Sequence, residues 1–277
     1  MTDPALAKKT SHGRFYRHPG DGRMVPSITN IKGMKAIPAL PAWAAREAAN
    51  YAADNINSLS KLPHDDIVQL VKGAPYRRDS SKNASALAGN IVHDWIDQDI
   101  RGEQVDPGFY LDREGERQAP PQTAKWMWNS YRTFVGYYKP TFVKSEFTVW
   151  SHEHGYAGTG DWCGYITSPT TGELSTELTL GDTKTGKAAY PDMAMQLAAI
   201  AHADCIITPD GVEQPLPEFK RFAILHVRPR FVELIPVEHV EEWWKAFLGL
   251  KAVFDTVTTY EEETLLYTPK LQVRVAA

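Results

Sequence analysis

The segment GDTKTGK, residues 181–187, places acidic and basic side chains where an apolar stretch ends. The preceding TELTL is typical of a buried β-strand, and the strand pattern continues to Lys184. Because residues two apart on a strand share a face, Asp182 and Lys184 are expected together at the edge of the core. A buried carboxylate and a buried ammonium each need a partner. They can form a structural ion pair with each other, or the carboxylate can bind a divalent cation with further oxygen ligands.

A second carboxylate is expected beside this pair. Asp161 lies in AGTGDW, on the predicted strand before the loop TSPTTGELS, which is typical of a hairpin connection. Adjacent antiparallel strands would bring Asp161 alongside Asp182, and two nearby carboxylates repel unless a cation or a proton lies between them. With Lys184 added, the set has the components of metal-assisted phosphodiester hydrolysis. Mg²⁺ held by two carboxylates keeps several waters and lowers the pKa of one, and the lysine can orient that water.

The order and spacing of these residues resemble a known nuclease pattern. Asp161, a hairpin and then Asp182-Thr183-Lys184 resemble the D…(D/E)xK core of the PD-(D/E)XK nuclease superfamily, and within it the RecB-like exonucleases, including phage-encoded relatives. Other positions follow the order of that family's motifs, and the resemblance extends from about residue 26 to about residue 260. These further positions are Gly89 and His93 in GNIVHDWID, Glu146 before the GTGD strand, and Gln196 in QLAAI.

The resemblance implies a role for each of these side chains, and Mg²⁺ or Mn²⁺ as the cofactor. Imidazole suits Mn²⁺ better than Mg²⁺, so a histidine ligand is compatible with activity in Mn²⁺. The implied metal ligands are His93, Asp161, Asp182 and the backbone carbonyl of Thr183. The implied catalytic residues are Lys184, Glu146 and Gln196, and the implied substrate-binding residues are Lys187 and Gln196.

The pattern departs from the family at two points, and ordinary structural roles stay open for several residues. Ile200 stands where the family's QxxxY motif has a tyrosine, and two cysteines are too few for the iron–sulfur branch of the family. Lys184 can be a purely structural partner of Asp182, Glu146 a solvent-facing strand residue, Gln196 an exposed helix residue and Lys187 a loop lysine. The turn SHEHGY, residues 151–156, is expected to be solvated and without a role.

The elements that must position these residues follow from the apolar periodicity of the chain. Helices are predicted at 40–56, 84–100, 121–139, 190–204 and 237–257, and strands at 144–151, 158–166, 176–184, 220–227 and 230–237. This order predicts the α/β class, with a mixed central β-sheet flanked by α-helices. The resemblance implies a restriction-endonuclease-like core. The many rings of the helix at 121–139 are expected in the core, with a base-stacking surface as the alternative.

Length, charge and composition limit the remaining possibilities. Residues 1–25 are expected to form a flexible basic N-terminal arm, and residues 26–277 a single nuclease domain. A net charge of −4 argues against broad adhesion to nucleic acid but allows a local basic groove. No apolar run reaches the roughly 20 residues of a membrane helix. The N-terminus lacks the apolar centre of a signal peptide, and two cysteines fit a reducing compartment, so a cytoplasmic protein is expected.

Together these features predict a metal-dependent deoxyribonuclease, an exonuclease of recombination, replication or repair. Its expected partners are DNA and a single-strand annealing or recombination protein. The main alternative is a non-catalytic DNA-binding or recombination-partner protein on the same fold, because fold alone does not fix function. A hydrolase of small phosphate esters, which would need a closed pocket, is a third possibility.

Overall fold

The computed structural model describes residues 6–10, 13–35, 53, 56–59, 61–68, 79–112 and 114–267. The helix predicted at 40–56 lies almost wholly outside these described residues. The chain divides into two compact units. One takes in Ala36–Phe134 with Val227–Val232, and the other Thr2–Lys35 with Val135–His226 and Glu233–Ala277. The single domain predicted for residues 26–277 is therefore shared between two units in the structure.

The predicted helices and strands that fall on described residues are present, with shifts of a few residues at most of their ends, and the structure adds short helices and strands that the periodicity did not predict. The helices are α1 (Ile28–Lys32), α2 (Ile56–Leu59), α3 (Asp79–Ile100), α4 (Gln122–Tyr138), α5 (Pro191–Ala201) and α6 (Val240–Tyr267). The first strands are β1 (Ala7–Thr10), β2 (Gly13–Arg17), β3 (Met24–Pro26), β4 (Tyr110–Leu111), β5 (Arg117–Gln118) and β6 (Thr141–Ser151). They are followed by β7 (Tyr156–Tyr165), β8 (Thr179–Lys184), β9 (Cys205–Ile207), β10 (Glu213–Pro215), β11 (Arg221–Arg228) and β12 (Phe231–Pro236).

In the first unit, α3 and α4 pack through aromatic side chains. The rings of Trp95 and Trp128 meet edge to face with centroids 5.9 Å apart. The Tyr131 hydroxyl donates to the Asp99 carboxylate over 2.8 Å, and Arg132 donates to the other oxygen of that carboxylate over 2.6 Å. Of the rings of α4, Trp128, Tyr131 and Phe134 are buried, whereas Trp126 is exposed. The expectation that the rings of this helix lie in the core is therefore confirmed for Trp128, Tyr131 and Phe134.

The second unit contains a seven-stranded mixed sheet in the order β10-β9-β6-β7-β8-β11-β12. β6, β7 and β8 are consecutive antiparallel neighbours, which is the meander expected from the sequence. β11 lies beside β8 and runs parallel to it, because the chain passes through α5, β9 and β10 before it returns. The predicted α/β class with a mixed central sheet and helices is confirmed.

Three helices pack on this sheet through one apolar cluster. Ile31 of α1, Leu180 of β8, Leu197 and Ile200 of α5, and Phe247 of α6 are all fully buried in it. Burying side chains of this size contributes about 2 kcal/mol each, which fixes α1 and α5 beside the end of β8. Among the residues that the structure describes, no helix is long and apolar enough to cross a lipid bilayer.

The N-terminal segment differs from its prediction as a flexible arm. Its described residues form a three-stranded antiparallel sheet, β1-β2-β3. Tyr16 and Val25 of this sheet are buried in a cluster with Trp150 and Cys205 of the central sheet. The strands are only 3 to 5 residues long, which is too short to show clear periodicity. Their apolar partners lie more than 100 residues away along the chain, so the local pattern gave no signal.

Candidate active site

The candidate site lies at the end of β8, where the strand leaves the core. The residues Thr179 to Thr183 are buried, and the Asp182 side chain is completely inaccessible to solvent. Lys184 retains 24% of its side-chain exposure, and its Nζ lies 2.6 Å from Asp182 Oδ2. The two residues therefore meet on one face of the strand, as the sequence predicts.

Asp161 reaches the same place from β7. The antiparallel pairing of β7 and β8 includes Trp162 opposite Gly181, so the next position sets Asp161 against Asp182. Asp161 Oδ2 accepts a hydrogen bond of 2.8 Å from the backbone N–H of Thr183. The structure thus brings together the two carboxylates and the lysine of the predicted motif.

A glycine must precede Asp182 because a large ring occupies the adjacent space. A Cβ atom on Gly181 would lie 1.9 Å from the indole of Trp162, far inside van der Waals contact. Trp162 is fully buried, and its Nε1 donates to Thr183 Oγ1 over 3.2 Å. The indole therefore ties β7 to β8 next to the two carboxylates, and any side chain at position 181 would displace it.

Gln196 joins the site from α5. Its Nε2 donates to Asp182 Oδ1 over 2.9 Å, and its Oε1 accepts from Lys32 Nζ over 2.9 Å. Pro191 at the first turn of α5 is compatible with the helix start, and the apolar packing of Leu197 sets the direction of the neighbouring glutamine. The structure thus places Gln196 against Asp182, and the catalytic and substrate-binding roles that the resemblance implies for it stay predictions.

Lys32 is a component of the site that sequence reasoning missed. It ends the short helix α1, which Ser27 caps by accepting from Asn30 N over 3.0 Å. Its side chain is only 10% exposed, and besides Gln196 its Nζ approaches Asp192 Oδ2 at 3.5 Å. A lysine in the last turn of a helix is usually a solvated residue, so the sequence carries no signal for this position.

The charges of the site shift one another's protonation. Burial raises the pKa of Asp182 to about 6; the Lys184 ammonium opposes this rise, and the Asp161 carboxylate adds to it. Burial also raises the pKa of Asp161. For Lys184, burial alone would lower the pKa, but attraction to Asp182 and Asp161 outweighs it and the pKa rises. Burial, followed by repulsion from Lys184, lowers the pKa of Lys32.

One oxygen of the site fits a cation. Asp182 Oδ2 is buried and receives no hydrogen bond of suitable angle from the described residues, although Lys184 Nζ is only 2.6 Å away. This contact is an ion pair, and it uses at most one of the two lone pairs of Oδ2, so that the other can bind a cation. Two opposed carboxylates with such an oxygen are the donor set that hard divalent cations such as Mg²⁺ and Mn²⁺ prefer.

Glu146 has an unusual backbone conformation close to this site. It lies in β6 between residues that pair with Trp162 and Gly160, so it stands opposite Asp161. Its φ of 45° is in the left-handed region, which is rare for a residue other than glycine and turns its exposed side chain out of the regular strand pattern. Its charge adds to the rise in the pKa of Tyr16, a rise caused mainly by burial. Its catalytic role stays a prediction.

The other predicted residues occupy different surroundings. Lys187 is exposed in the bend after β8. Ile200, at the position of the family tyrosine, is fully buried in the apolar core. His93 is half-buried on α3, which belongs to the first unit, and its predicted metal contact and that of the Thr183 carbonyl stay predictions.

His152 of the turn SHEHGY is exposed, as expected of a solvated turn, but it contacts distant segments of the chain. His152 Nε2 lies 3.0 Å from Glu213 Oε1, and His18 Nε2 lies 3.3 Å from the same oxygen. A surface cavity of about 480 Å³ is lined by His18 and its neighbours Arg17 and Pro19, rather than by the carboxylates of β7 and β8. No element of the sequence pattern connected these positions, because they are far apart along the chain.

Comparison with known proteins adds no family assignment. No protein-family model matches the chain. No curated protein matches it either. The resemblance to the PD-(D/E)XK nucleases therefore depends on the motif positions in the sequence alone.

Proposed function

We propose that this chain is a metal-dependent deoxyribonuclease of the PD-(D/E)XK type, an exonuclease acting in recombination, replication or repair. The observation that supports this proposal is that the half-buried Asp161 stands opposite the fully buried Asp182, with Lys184 Nζ 2.6 Å from Asp182 Oδ2. A lone ion pair would account for Asp182 and Lys184 alone. It would not account for a second carboxylate opposed to the first on the neighbouring strand.

The architecture around the site is compatible with the proposed restriction-endonuclease-like core. The acids lie on adjacent strands of a mixed sheet, and the helix that follows the second strand supplies Gln196. This is the order of the D…DxK…Q motifs. The proposal extends to a cytoplasmic location and to a recombination or annealing protein as partner.

Each residue of the site is proposed to have a separate role in hydrolysis. Asp161 and Asp182 would hold Mg²⁺ or Mn²⁺, with the Thr183 carbonyl and His93 as proposed further ligands. When bound, such a cation lowers the pKa of a coordinated water and neutralises charge on the phosphate. Gln196 donates to Asp182 Oδ1, and Oδ2 of the same carboxylate lies 2.6 Å from Lys184 Nζ.

Lys184 is placed where its ammonium group can orient the attacking water. Its ammonium is held at the rim of the core, partly exposed, by attraction to Asp182 and Asp161. From there it can donate a hydrogen bond that orients the water and stabilise negative charge on the phosphoryl oxygen. Glu146, opposite Asp161, is proposed to assist the water, and the exposed Lys187 and the amide of Gln196 are proposed to contact the DNA backbone.

The proposal is tested with end-labelled linear duplex, linear single-stranded DNA and closed circular DNA, each with Mg²⁺, Mn²⁺ or EDTA. We expect metal-dependent loss of linear DNA and survival of the circle. Cleavage of the circle would retain the site but make the enzyme an endonuclease. A folded protein that binds DNA in EDTA and cleaves no substrate in either metal would contradict the proposal and favour the non-catalytic DNA-binding alternative.

Lys32→Met is expected to lower the cleavage rate by about 10-fold or more, in the range found for groups that orient metal ligands. Lys32 Nζ fixes the amide of Gln196, which in turn holds Asp182. The rate is measured at saturating Mg²⁺ and across a Mg²⁺ titration, because a loosened Asp182 should also weaken metal binding.

Lys35→Met is the matched control for this variant. Lys35 approaches the same Asp192 carboxylate, but at 4.0 Å and with 39% of its side chain exposed. Its removal should leave the cleavage rate within twofold of wild type. Equal losses in both variants would indicate a general charge effect and would remove the positioning role from Lys32.

A further inference from the structure

A second group of metal-binding side chains lies in the same unit, and the proposed nuclease chemistry does not use it. His18 follows β2, His152 lies in the turn between β6 and β7, and Glu213 begins β10. Nitrogen atoms of both rings and one oxygen of Glu213 all lie within 4.8 Å of one another. The shared Glu213 Oε1 is 3.0 Å from His152 Nε2 and 3.3 Å from His18 Nε2.

The thiol of Cys205 lies beside these three side chains. Cys205 begins β9, which pairs with β10 so that this residue stands opposite Pro215, two residues from Glu213. Its Sγ lies 4.0 Å from His152 Nε2. The thiol is buried and forms no disulfide. Its Sγ falls outside the 4.8 Å group formed by the other three donors, so the thiol would have to move inward to become a fourth ligand.

The separations of these atoms match those of a tetrahedral zinc site. With Zn–N and Zn–O bonds of about 2.0–2.1 Å and a Zn–S bond of about 2.3 Å, neighbouring donors lie about 3.3–3.6 Å apart. The two N–O separations of 3.0 and 3.3 Å lie at or just below the lower value, and Cys205 Sγ, 4.0 Å from His152 Nε2, would have to move toward the other donors. Histidine with cysteine is a soft donor set that favours Zn²⁺ over Mg²⁺ or Ca²⁺.

The hydrogen bonds at Nδ1 of the two histidine rings show which ring nitrogen carries the hydrogen and how a bound ion would move it. His18 Nδ1 accepts from the backbone N–H groups of Gly20 and Asp21 at 3.2 and 3.3 Å, and His152 Nδ1 meets Arg23 Nη2 at 2.7 Å. Without an ion, each Nε2 therefore carries the hydrogen and donates to Glu213. Coordination through Nε2 would move that hydrogen to Nδ1. Asp21 Oδ1, 3.2 Å from His18 Nδ1, can accept it there once the Gly20 and Asp21 N–H groups have turned away from Nδ1, and the exposed Arg23 can turn away from His152.

We propose that His18, His152, Glu213 and Cys205 form a structural zinc site, separate from the nuclease centre. One thiolate and one carboxylate balance the charge of the ion, and the thiol proton is released when the ion binds. The site links the segment after β2 to the edge strands β9 and β10 and to the β6–β7 turn. Zinc would therefore hold the small N-terminal sheet against this edge of the central sheet.

Cobalt substitution tests this proposal, because the visible absorption spectrum of Co²⁺ depends on its coordination geometry. The untagged full-length protein is freed of metal with EDTA, desalted and titrated with Co²⁺ in excess Mg²⁺, which occupies the carboxylate site. We expect one equivalent of Co²⁺ with the intense visible bands of tetrahedral coordination and a near-ultraviolet thiolate charge-transfer band. Zn²⁺ should displace it and raise the melting temperature.

Ligand variants assign the bands to residues. Glu213→Gln and His152→Asn, both at partly exposed positions, should fold and lose the tetrahedral spectrum, and Cys205→Ser should lose the charge-transfer band. Asp182→Asn should keep the full spectrum, which separates this site from the nuclease proposal. Absence of tetrahedral bands in the folded wild type, or their persistence in Glu213→Gln and His152→Asn, would overturn the zinc site and leave Glu213 as a hydrogen-bond acceptor for two histidines.

Discussion

Replacing Asp182 with asparagine is expected to lower metal-dependent cleavage by about 1,000-fold or more, which corresponds to about 4 kcal/mol of transition-state stabilisation. The change keeps the shape of the side chain but removes the charge from Oδ2, the buried oxygen that receives no well-angled hydrogen bond. Lys184 keeps its attraction to Asp161 in this variant, so the fold should persist. The rate is measured on end-labelled DNA with Mg²⁺ and with Mn²⁺, and circular dichroism checks the fold.

Asp255→Asn is the control for this substitution. Asp255 on α6 also pairs with a lysine at 2.6 Å, but it is half exposed and lies on a helix that carries none of the proposed catalytic residues. Its neutral replacement should leave the cleavage rate unchanged. Full activity in a folded Asp182→Asn protein would remove Asp182 from the metal site and reduce the acid–lysine pair to a structural contact.

Replacing Lys184 with methionine is expected to separate the structural and the catalytic roles of the lysine. In metal-free buffer the free energy of unfolding should fall by about 2–3 kcal/mol, because the buried Asp182 loses its counter-ion. This is below the usual cost of breaking a buried pair, since 24% of the Lys184 side chain is exposed and solvent screens part of the interaction. Cleavage should fall by about 100-fold or more, the effect of removing one group that stabilises developing charge.

Added Mg²⁺ or Mn²⁺ should stabilise Lys184→Met more than wild type. A cation that binds the folded state raises stability by mass action, and in the variant it no longer competes with the ammonium for Asp182. Urea unfolding with and without metal measures both effects. Lys251→Met, which breaks the Asp255 pair, should cost about 1 kcal/mol or less and show no metal dependence. A normal cleavage rate in Lys184→Met would leave the lysine with a structural role alone.

Much of the frame around the candidate site follows from local sequence pattern. The alternation in TELTLGDTK and GTGDWCGYI defines two strands, and the short polar loop between them makes the strands neighbours. Once the strands are neighbours, the antiparallel register places Asp161 opposite Asp182, and a period of two places Lys184 beside it. The helical period of α5 presents Gln196 on the turn that covers β8. These relations span fewer than 40 residues, so they are visible in one sequence.

The sequence by itself therefore determined the longer strands and helices around the site and the acid–lysine pair, because each depends on backbone periodicity and short connections. Only the tertiary structure decided which distant residues join them. Lys32 meets Gln196 across 164 positions of the chain, and His18 meets Glu213 across 195. No local period reports such contacts, because they arise from the packing of α1 and of the small N-terminal sheet on the central sheet. The partners of Lys32 and Glu213 are known only from the tertiary structure. Packing removes such polar groups from water, and a polar group without water needs a hydrogen-bond or ionic partner within the protein.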